Sequence, residues 1–218
     1  MIDESNSTGK VTGRRAALRH VTEEKIFIAA ETVFAQAGFG GATMQLIANL
    51  SGIAKPNLHY YFGSKELLYR AVLQRIFRMW LRAAEVMDDA STPAEGIGGY
   101  IDAKMEISRL NPNASKVWAN EVMHGASMIQ DCFKDAFFEW TSARISVIER
   151  WVAEGKMLPV NARYLLYLVW ASTQHYADFG HQITILNHDT PLSDVEWETA
   201  KRSVKELVLR GIGAELNY

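Results

Sequence analysis

Residues 43–65 restrict the fold of this chain more than any other stretch, because they pair two short helical patterns around a glycine turn. Thr43 is a good N-cap for a helix over residues 44–50. Gly52 accepts the positive φ of a tight turn, and Pro56 is tolerated in the first turn of a second helix, where its missing N–H is not required. Two short helices joined in this way predict a helix-turn-helix, whose second helix enters the major groove of DNA. The apolar positions of the pair are Leu46, Ile47, Leu50, Ile53 and Leu58.

The remaining positions of the second helix suit contacts with DNA. Asn57 can bond bidentately to adenine, and Lys55 can reach guanine or phosphate. His59 and Tyr60 suit phosphate oxygens, which position a helix without reading the base sequence. Taken alone, the pattern also fits one more helical hairpin of an all-α protein. The candidate DNA-contacting residues are Thr43, Lys55, Pro56, Asn57, His59, Tyr60 and Lys65.

This region resembles the DNA-binding domain of tetracycline-repressor (TetR) type regulators. One departure is Ala54, where that family usually has Ser or Thr, so the recognition helix should lose a cap that contributes about 1 kcal/mol. The resemblance implies a homodimer that binds a palindromic operator on double-stranded DNA. It is carried by the motifs Phe34-Ala-Gln-Ala-Gly-Phe39, Thr43-Met44, Ile47-Ala48, Ser51-Gly-Ile-Ala-Lys55 and Leu58-His-Tyr-Tyr-Phe-Gly-Ser-Lys-Glu-Leu-Leu68.

The distribution of charge supports a DNA-binding head on a body that does not bind phosphate. Residues 10–70 carry a net charge of +4 and residues 71–218 a net charge of −4. The overall net charge of −2 argues against a protein that coats nucleic acid indiscriminately. A single Cys132 excludes an internal disulfide framework and fits a reducing cytoplasm. No apolar run approaches the ~20 residues of a membrane span.

Helical patterns continue along the chain and no strand-like alternation persists, which predicts an all-α fold. Residues 1–19 lack an apolar period and are expected to form a flexible basic arm. Residues 20–64 are expected to form the helix-turn-helix domain, and residues 65–218 a ligand-binding and dimerisation domain. The predicted helices begin at the cap Thr22 and end at Gly38, run from Ser64 to Met87, and cover residues 94–110, 114–124, 128–154, 162–185 and 193–211.

Residues 167–179 combine an apolar helical pattern with an unusual number of polar side chains. Polar groups so deep must bond to each other, to water or to a ligand. Trp170 and Gln174 lie one turn apart, so an aromatic plate and an amide share a face on which a planar polar molecule could bind. The same residues also fit a core of aromatics with satisfied polar neighbours. The candidate ligand-binding residues are Trp80, Trp118, Met123, Trp170 and Gln174.

Over most of its length the chain resembles the pyrimidine-utilisation (RutR-like) branch of the same family. The likeness is carried by residues 170–179, the region of Trp80, residues 104–109 and residues 151–156. It implies uracil or a similar pyrimidine as effector, with Trp80, Trp170 and Gln174 at the matching contact positions. The expected function is therefore a ligand-responsive transcriptional repressor without a cofactor.

Two other arrangements of the polar residues are less convincing. Ser172, His175 and Asp178 offer the residue types of a hydrolase triad, but on one helix they project side by side instead of converging. His175 and His181 are potential metal ligands, yet their spacing puts the imidazoles on different faces. We therefore expect no catalytic or metal-binding residues. The alternative function is a helical enzyme or small-molecule carrier that uses the Trp170–Asp178 segment.

The last long helices carry more apolar positions than one packing face requires. We expect them to form the dimer interface, with two helices from each subunit in a four-helix bundle. The positions expected there are Leu165, Leu168, Val169, Val204, Leu207, Val208 and Ile212.

Overall fold

The computed structural model describes residues 7–214, and among them it leaves out the side chains of residues 7–15, Asp131 and Cys132. The described residues form ten α-helices and one 3-10 turn without a strand, which confirms the all-α prediction. They belong to two compact units, of which the first ends at Leu73 and the second begins at Gln74. Within the described range, no helix has the length and hydropathy of a membrane span.

The first unit holds the two short helices of the turn motif against longer helices. Its core contains Ile26 and Phe34 of the first helix, and Phe34 packs edge-on against Tyr69 with the ring centroids 4.7 Å apart. Leu68 and Leu58 are fully buried. The helices of this unit are α1 (Ser7–Gly41), α2 (Met44–Ser51), α3 (Lys55–Phe62) and the first half of α4 (Lys65–Ala83).

Helix α1 begins earlier than the sequence pattern predicts. From Ser7 onward the expected flexible arm over residues 1–19 is helical, so that prediction is wrong there, while residues 1–6 lie outside the described part of the chain. The side chains of Leu18 and Val21 are exposed. Because this part of the helix does not bury a face, its sequence shows no apolar period. Alanine, leucine and arginine are strong helix formers without any such period. The salt bridge from Arg19 to Glu23, at 2.8 Å, adds support along the helix.

Thr22 is not the N-cap that the sequence suggests. It lies inside α1, where its hydroxyl donates to the Leu18 carbonyl oxygen at 2.9 Å. A threonine can bond to the carbonyl one turn earlier as readily as it can cap a helix, so the residue alone does not fix a helix start. The predicted break at Gly38 is confirmed, because its φ of 65° interrupts the helical backbone before Gly41.

The turn motif forms as predicted. The Thr43 hydroxyl accepts from the Leu46 amide at 3.1 Å, and Gly52 has a φ of 69° at the end of α2. The buried face of α2 differs from the prediction, however, because Leu46 and Leu50 are 47% and 55% exposed. The face that packs inward carries Met44, Ile47 and Ala48, which lie three and four residues apart.

Helix α4 passes from the first unit into the second. Ser64 caps it by accepting from the Leu67 amide at 3.2 Å. The helix ends at Ala83, earlier than the predicted Met87, and a 3-10 turn over Glu85–Met87 follows it. One continuous helix therefore contributes side chains to both units.

The second unit is a helical bundle built around fully buried residues that include Met87, Ile101 and Trp151. A capping box between Thr92 and Glu95 starts its first complete helix. The helices of this unit are α5 (Pro93–Leu110), α6 (Pro112–Met123), α7 (Gln130–Ala153), α8 (Ala162–Asp178), α9 (Gly180–Leu186) and α10 (Asp194–Gly211).

Two helices replace the single predicted helix over residues 162–185. Helix α8 ends with the hydrogen bond from the Phe179 amide to the His175 carbonyl oxygen, and Phe179 leaves helical geometry with a φ of −110° and a ψ of 25°. Gly180, a weak helix former, follows at once and begins α9.

Five of the seven residues expected at the dimer interface are buried within the unit itself. Their burial results from packing between α5, α8 and α10 of one chain, so their apolar character does not report a partner. Leu168 and Leu207 remain exposed, at 54% and 74%. The five corrected positions are Leu165, Val169, Val204, Val208 and Ile212.

Candidate functional site

The exposed face of α3 is open along its length. Tyr60 is 81% exposed, whereas Leu58, in the middle of the helix, is fully buried and fixes which face turns outward. The N-cap Ala54 makes no side-chain hydrogen bond, in agreement with the missing cap noted in the sequence. The exposed side chains are Lys55, Pro56, Asn57, His59 and Tyr60.

Two predicted DNA contacts also hold the local backbone. His59 Nδ1 lies 2.7 Å from the Gly63 carbonyl oxygen, which fixes the imidazole ring beside the end of α3. Lys65 Nζ donates to the carbonyl oxygens of Phe39 and Ala42, at 2.8 and 3.1 Å. It also lies 4.3 Å from the centroid of the Phe39 ring. Two of the three ammonium donors are therefore engaged in holding the connection between α1 and α2.

The second unit contains a small cavity of about 50 Å³, which we call the inner cavity. Four of the five predicted ligand-binding residues line it, and they come from the three helices α4, α6 and α8. Met123 does not, because it ends α6 and is 74% exposed. The lining residues are Phe77, Trp80, Leu81, Tyr100, Lys104, Trp118, Phe137, Trp140, Trp170 and Gln174.

Among the described residues, some polar groups that line the inner cavity have hydrogen-bond partners within the protein, and the Trp80 indole N–H does not. Trp170 Nε1 donates to the Tyr100 hydroxyl at 2.8 Å, and Trp140 Nε1 donates to the Leu81 carbonyl oxygen at 3.3 Å. Burial raises the pKa of Tyr100, so the phenol stays protonated. By contrast, Trp80 Nε1 is buried without a hydrogen-bond partner in the described part of the chain. Such an open donor favours a ligand that can accept from it.

Lys104 is the charged residue of the cavity lining that the sequence prediction did not include. It is 2% exposed, and its Nζ lies 3.2 Å from the centroid of the Trp80 ring. Burial lowers the pKa of Lys104 well below its ordinary value, while the charge of Asp178 acts in the opposite direction. Its position one turn after the buried Tyr100 on α5 was the available signal.

Several polar side chains of residues 167–179 bond within the protein. Asp178 accepts from the Ser115 hydroxyl at 2.6 Å, and Thr173 donates to the Val169 carbonyl oxygen at 2.7 Å. Burial raises the pKa of Asp178, and the Ser115 hydrogen bond acts against that shift. Of this stretch, only Trp170 and Gln174 line the inner cavity.

The hydrolase-type trio does not converge. The Ser172 hydroxyl donates to the Val169 carbonyl oxygen at 3.3 Å, and the His175 ring stacks on Phe179 with the centroids 4.9 Å apart. Asp178 bonds to Ser115 on α6 instead of His175. Among the described residues there is also no group of three or more His, Cys, Asp and Glu side chains arranged to hold a metal ion.

A larger opening, the outer cleft, lies between α7 and α8 and has a volume of about 640 Å³. Phe137 and Trp170 line both the outer cleft and the inner cavity, and their ring centroids are 5.6 Å apart. These two rings form a shared wall between the outer cleft and the inner cavity.

Two family models match consecutive parts of the chain. The model described as "Bacterial regulatory proteins, tetR family" matches residues 26–72. The model described as "YcdC-like protein, C-terminal region" matches residues 73–215. The boundary between the two matches lies one residue before the boundary between the two compact units.

Curated relatives and solved structures agree with these matches. The chain is 35% identical over 203 residues to the HTH-type transcriptional regulator RutR of Escherichia coli (strain K12), covering 93% of this chain and 96% of that protein. It is 26% identical over 159 residues to the transcriptional repressor KstR2 of Mycolicibacterium smegmatis, covering 69% and 77%. The structure of the ketosteroid transcriptional regulator KstR2 of Mycobacterium tuberculosis superposes with a TM-score of 0.67 at 19% identity, covering 87% of this chain and 94% of that one, and shows the fold alone.

Proposed function

Because the chain belongs to the tetR family of bacterial transcriptional regulators, we propose that it represses transcription by binding a palindromic DNA operator through α3. The observation that carries this proposal is the exposed polar face of α3, held by the buried Leu58. Asn57 would read adenine, Lys55 would contact guanine or phosphate, and Tyr60 would contact phosphate. A protein with this partner would work in the cytoplasm.

The operator-binding form would be a homodimer, as in regulators of this family. Tyr164 and Leu168 lie one turn apart on α8 and are 66% and 54% exposed. Leu207 on α10 is 74% exposed. Exposed apolar side chains on two long helices suit a four-helix bundle with a second copy. Leu207→Glu should therefore convert the dimer to a monomer in sedimentation velocity runs, whereas the exposed control Val195→Glu at the start of α10 should not.

The effector would bind in the inner cavity. Aromatic rings line most of this cavity, and the Trp80 N–H has no partner among the described residues, so a compact planar molecule with hydrogen-bonding edges fits it. The resemblance to the pyrimidine-utilisation branch indicates uracil or a related pyrimidine. Gln174 would bond to an edge of the ring, and Trp170 would stack on its face.

A DNA titration with and without uracil tests the effector site. Wild-type protein should lose about 5- to 150-fold in operator affinity when uracil is added, which corresponds to a coupling of about 1–3 kcal/mol. Gln174→Ala should bind the operator normally and not respond to uracil, because only the effector contact is removed. Ser172→Ala, on the same helix but outside the cavity, is the matched control. If Gln174→Ala responds like the wild type, the effector binds elsewhere.

A further inference from the structure

We propose that the pyrimidine effector binds as its anion, with the proton of an acidic ring N–H transferred to Lys104. The inference rests on the proposed function, since it concerns the ligand of the inner cavity. It assigns to that cavity a selectivity for acidic heterocycles over neutral ones of the same shape.

The position of Lys104 is the first observation. Its side chain is 2% exposed and lines the inner cavity. The Nζ atom lies over the Trp80 ring, 3.2 Å from its centroid. Among the side chains that the structure describes, none accepts a hydrogen bond from Nζ or forms a salt bridge with it. Apart from the Trp80 ring, Nζ therefore has no polar side-chain partner in the described part of the chain, and a ligand in the cavity could supply one.

None of the described charged side chains near Lys104 forms a hydrogen bond or a salt bridge with its Nζ. On α8, Asp178 is near enough to influence the pKa of Lys104, but its carboxylate accepts from Ser115. His175 on α8 and Lys116 on α6 act on Asp178. On the α7 side, Arg144 is paired with Asp88.

Among the described residues that line the inner cavity, Lys104 is the only lysine or arginine, and no aspartate or glutamate is present. A ligand anion in the cavity would meet a single potential cation, and no carboxylate would oppose it there. The aromatic rings that form most of the lining provide an apolar surrounding, in which the interaction of an ion pair is stronger than in water.

The proton transfer balances within the complex. Burial lowers the pKa of Lys104, which favours the neutral amine over the ammonium in the empty cavity. On binding, the ring N–H bond of the pyrimidine breaks and a third N–H bond forms at Nζ, which leaves an ammonium beside the ring anion. The negative charge spreads over the ring nitrogen and its neighbouring carbonyl oxygens. The Trp80 face stabilises the new ammonium, and Trp80 Nε1 can donate to the anion.

The test compares uracil with 5-fluorouracil, which has nearly the same shape but a more acidic ring N–H. Wild-type protein should bind 5-fluorouracil more tightly than uracil in calorimetric titrations. Lys104→Met should lose this preference and bind 5-fluorouracil about tenfold or more weakly, because no base remains to accept the proton. Lys134→Met removes a lysine from the outer cleft instead and should retain the preference.

Fluorine NMR of bound 5-fluorouracil supplies a direct signature. The fluorine shift of the free ligand differs between the neutral and the anionic form, and both are measured by titrating the ligand alone. In wild-type protein the bound shift should move towards that of the anion, and in Lys104→Met it should not. Because the aromatic walls are the same in both proteins, the difference between the two bound shifts reports ionisation. Thermal unfolding shows whether Lys104→Met is folded, and Lys104→Gln gives a second variant.

The outcomes separate the two hypotheses. If both Lys104 variants keep the preference for 5-fluorouracil and its bound shift while Gln174→Ala loses binding, the effector site stands and proton transfer to Lys104 is wrong. If Gln174→Ala and both Lys104 variants bind like the wild type, the inner cavity is not the effector site. A wild-type protein that binds neither pyrimidine overturns both the pyrimidine effector and the proton transfer.

Discussion

At the residue scale, the two kinds of side chain on α3 should differ in what they contribute to DNA binding. Asn57→Ala should cost about 1–3 kcal/mol on the preferred operator and weaken discrimination at particular bases, because a bidentate contact with adenine is lost. Tyr60→Phe should instead weaken all DNA sequences about equally, since a phosphate contact carries no base identity. Fluorescence anisotropy titrations on an operator and its point variants measure both effects. An unchanged operator affinity for Asn57→Ala would show that another element reads the bases.

Lys65 requires a different expectation from the other candidate DNA contacts. The sequence suggested only a contact with DNA, whereas the structure shows its ammonium donating to the carbonyl oxygens of Phe39 and Ala42. A loss of DNA affinity in Lys65→Ala would therefore combine a lost charge with a loosened connection between α1 and α2. Thermal unfolding of the variant separates the two causes, because only the second lowers stability.

Lys104 should also make folding stability depend on pH. Its pKa is lowered in the folded protein from an ordinary value of 10.5, so between these two pKa values the unfolded chain binds one more proton than the folded one. The free energy of unfolding should therefore rise with pH across this window, by at most about 1.4 kcal/mol per pH unit. Lys104→Met should lack this contribution. Urea unfolding of both proteins between pH 7 and 9.5 gives the difference, and parallel curves would contradict the lowered pKa of Lys104.

At the element scale, the packing of α5 on α7 depends on a glycine. A Cβ added at Gly96 would lie 2.4 Å from Cη2 of Trp151, whose side chain is fully buried. Gly96→Ala should therefore destabilise the second unit, because overpacking costs about 1–3 kcal/mol and exceeds the gain in helix propensity of up to about 1 kcal/mol. Gly180→Ala, where a Cβ meets nothing within 4 Å, is the matched control. Equal stability of the two variants in urea unfolding would show that Trp151 can move.

The helices themselves were largely predictable because their determinants are local. The cap at Thr43, the turn at Gly52 and the amphipathic period of the bundle helices depend on residues close in sequence. Thr22 misled the prediction because its hydroxyl serves the interior of a helix as well as its start. The break after Asp178 was missed because its only marker is a glycine that follows it.

The candidate site was predictable only in part, because it is assembled from several helices. Trp170 and Gln174 share a helix face by local spacing. The resemblance to the pyrimidine-utilisation branch placed Trp80 with them, and all three line the inner cavity. Lys104 was missed because its contact with Trp80 joins residues of different helices. Apolar character alone also failed to separate a chain's own core from a partner surface, as the burial of Leu165 and Val208 shows.

At the scale of the whole molecule, α4 is the element that belongs to both units. Lys65, at its start, bonds within the first unit, and Trp80, near its end, lines the inner cavity. An effector changes DNA affinity only through different affinities for two states of the protein. We expect α4 to carry that difference, because a movement of Trp80 on a continuous helix displaces the residues at its other end.

A glycine in the exposed part of α4 tests this role. Arg78 is exposed and lies one turn before Arg82. Arg78→Gly should let the helix bend at a cost of about 1 kcal/mol, so that uracil binding and operator binding both persist while the coupling between them falls. Arg78→Ala removes the same side chain but keeps the helix, and it should retain the coupling. If both variants couple like the wild type, α4 does not transmit the effector signal.

Coupling must also operate in the reverse direction. If uracil lowers operator affinity by a given factor, a saturating operator must lower uracil affinity by the same factor, because the two binding equilibria form a closed cycle. We therefore expect uracil titrations of the protein–operator complex to show a 5- to 150-fold weaker affinity than titrations of the free dimer, about 1–3 kcal/mol. In Arg78→Gly both factors should shrink together. Unequal factors in the two directions would mean that a further state, such as a monomer released from DNA, takes part, and repeating both titrations at several protein concentrations would identify it.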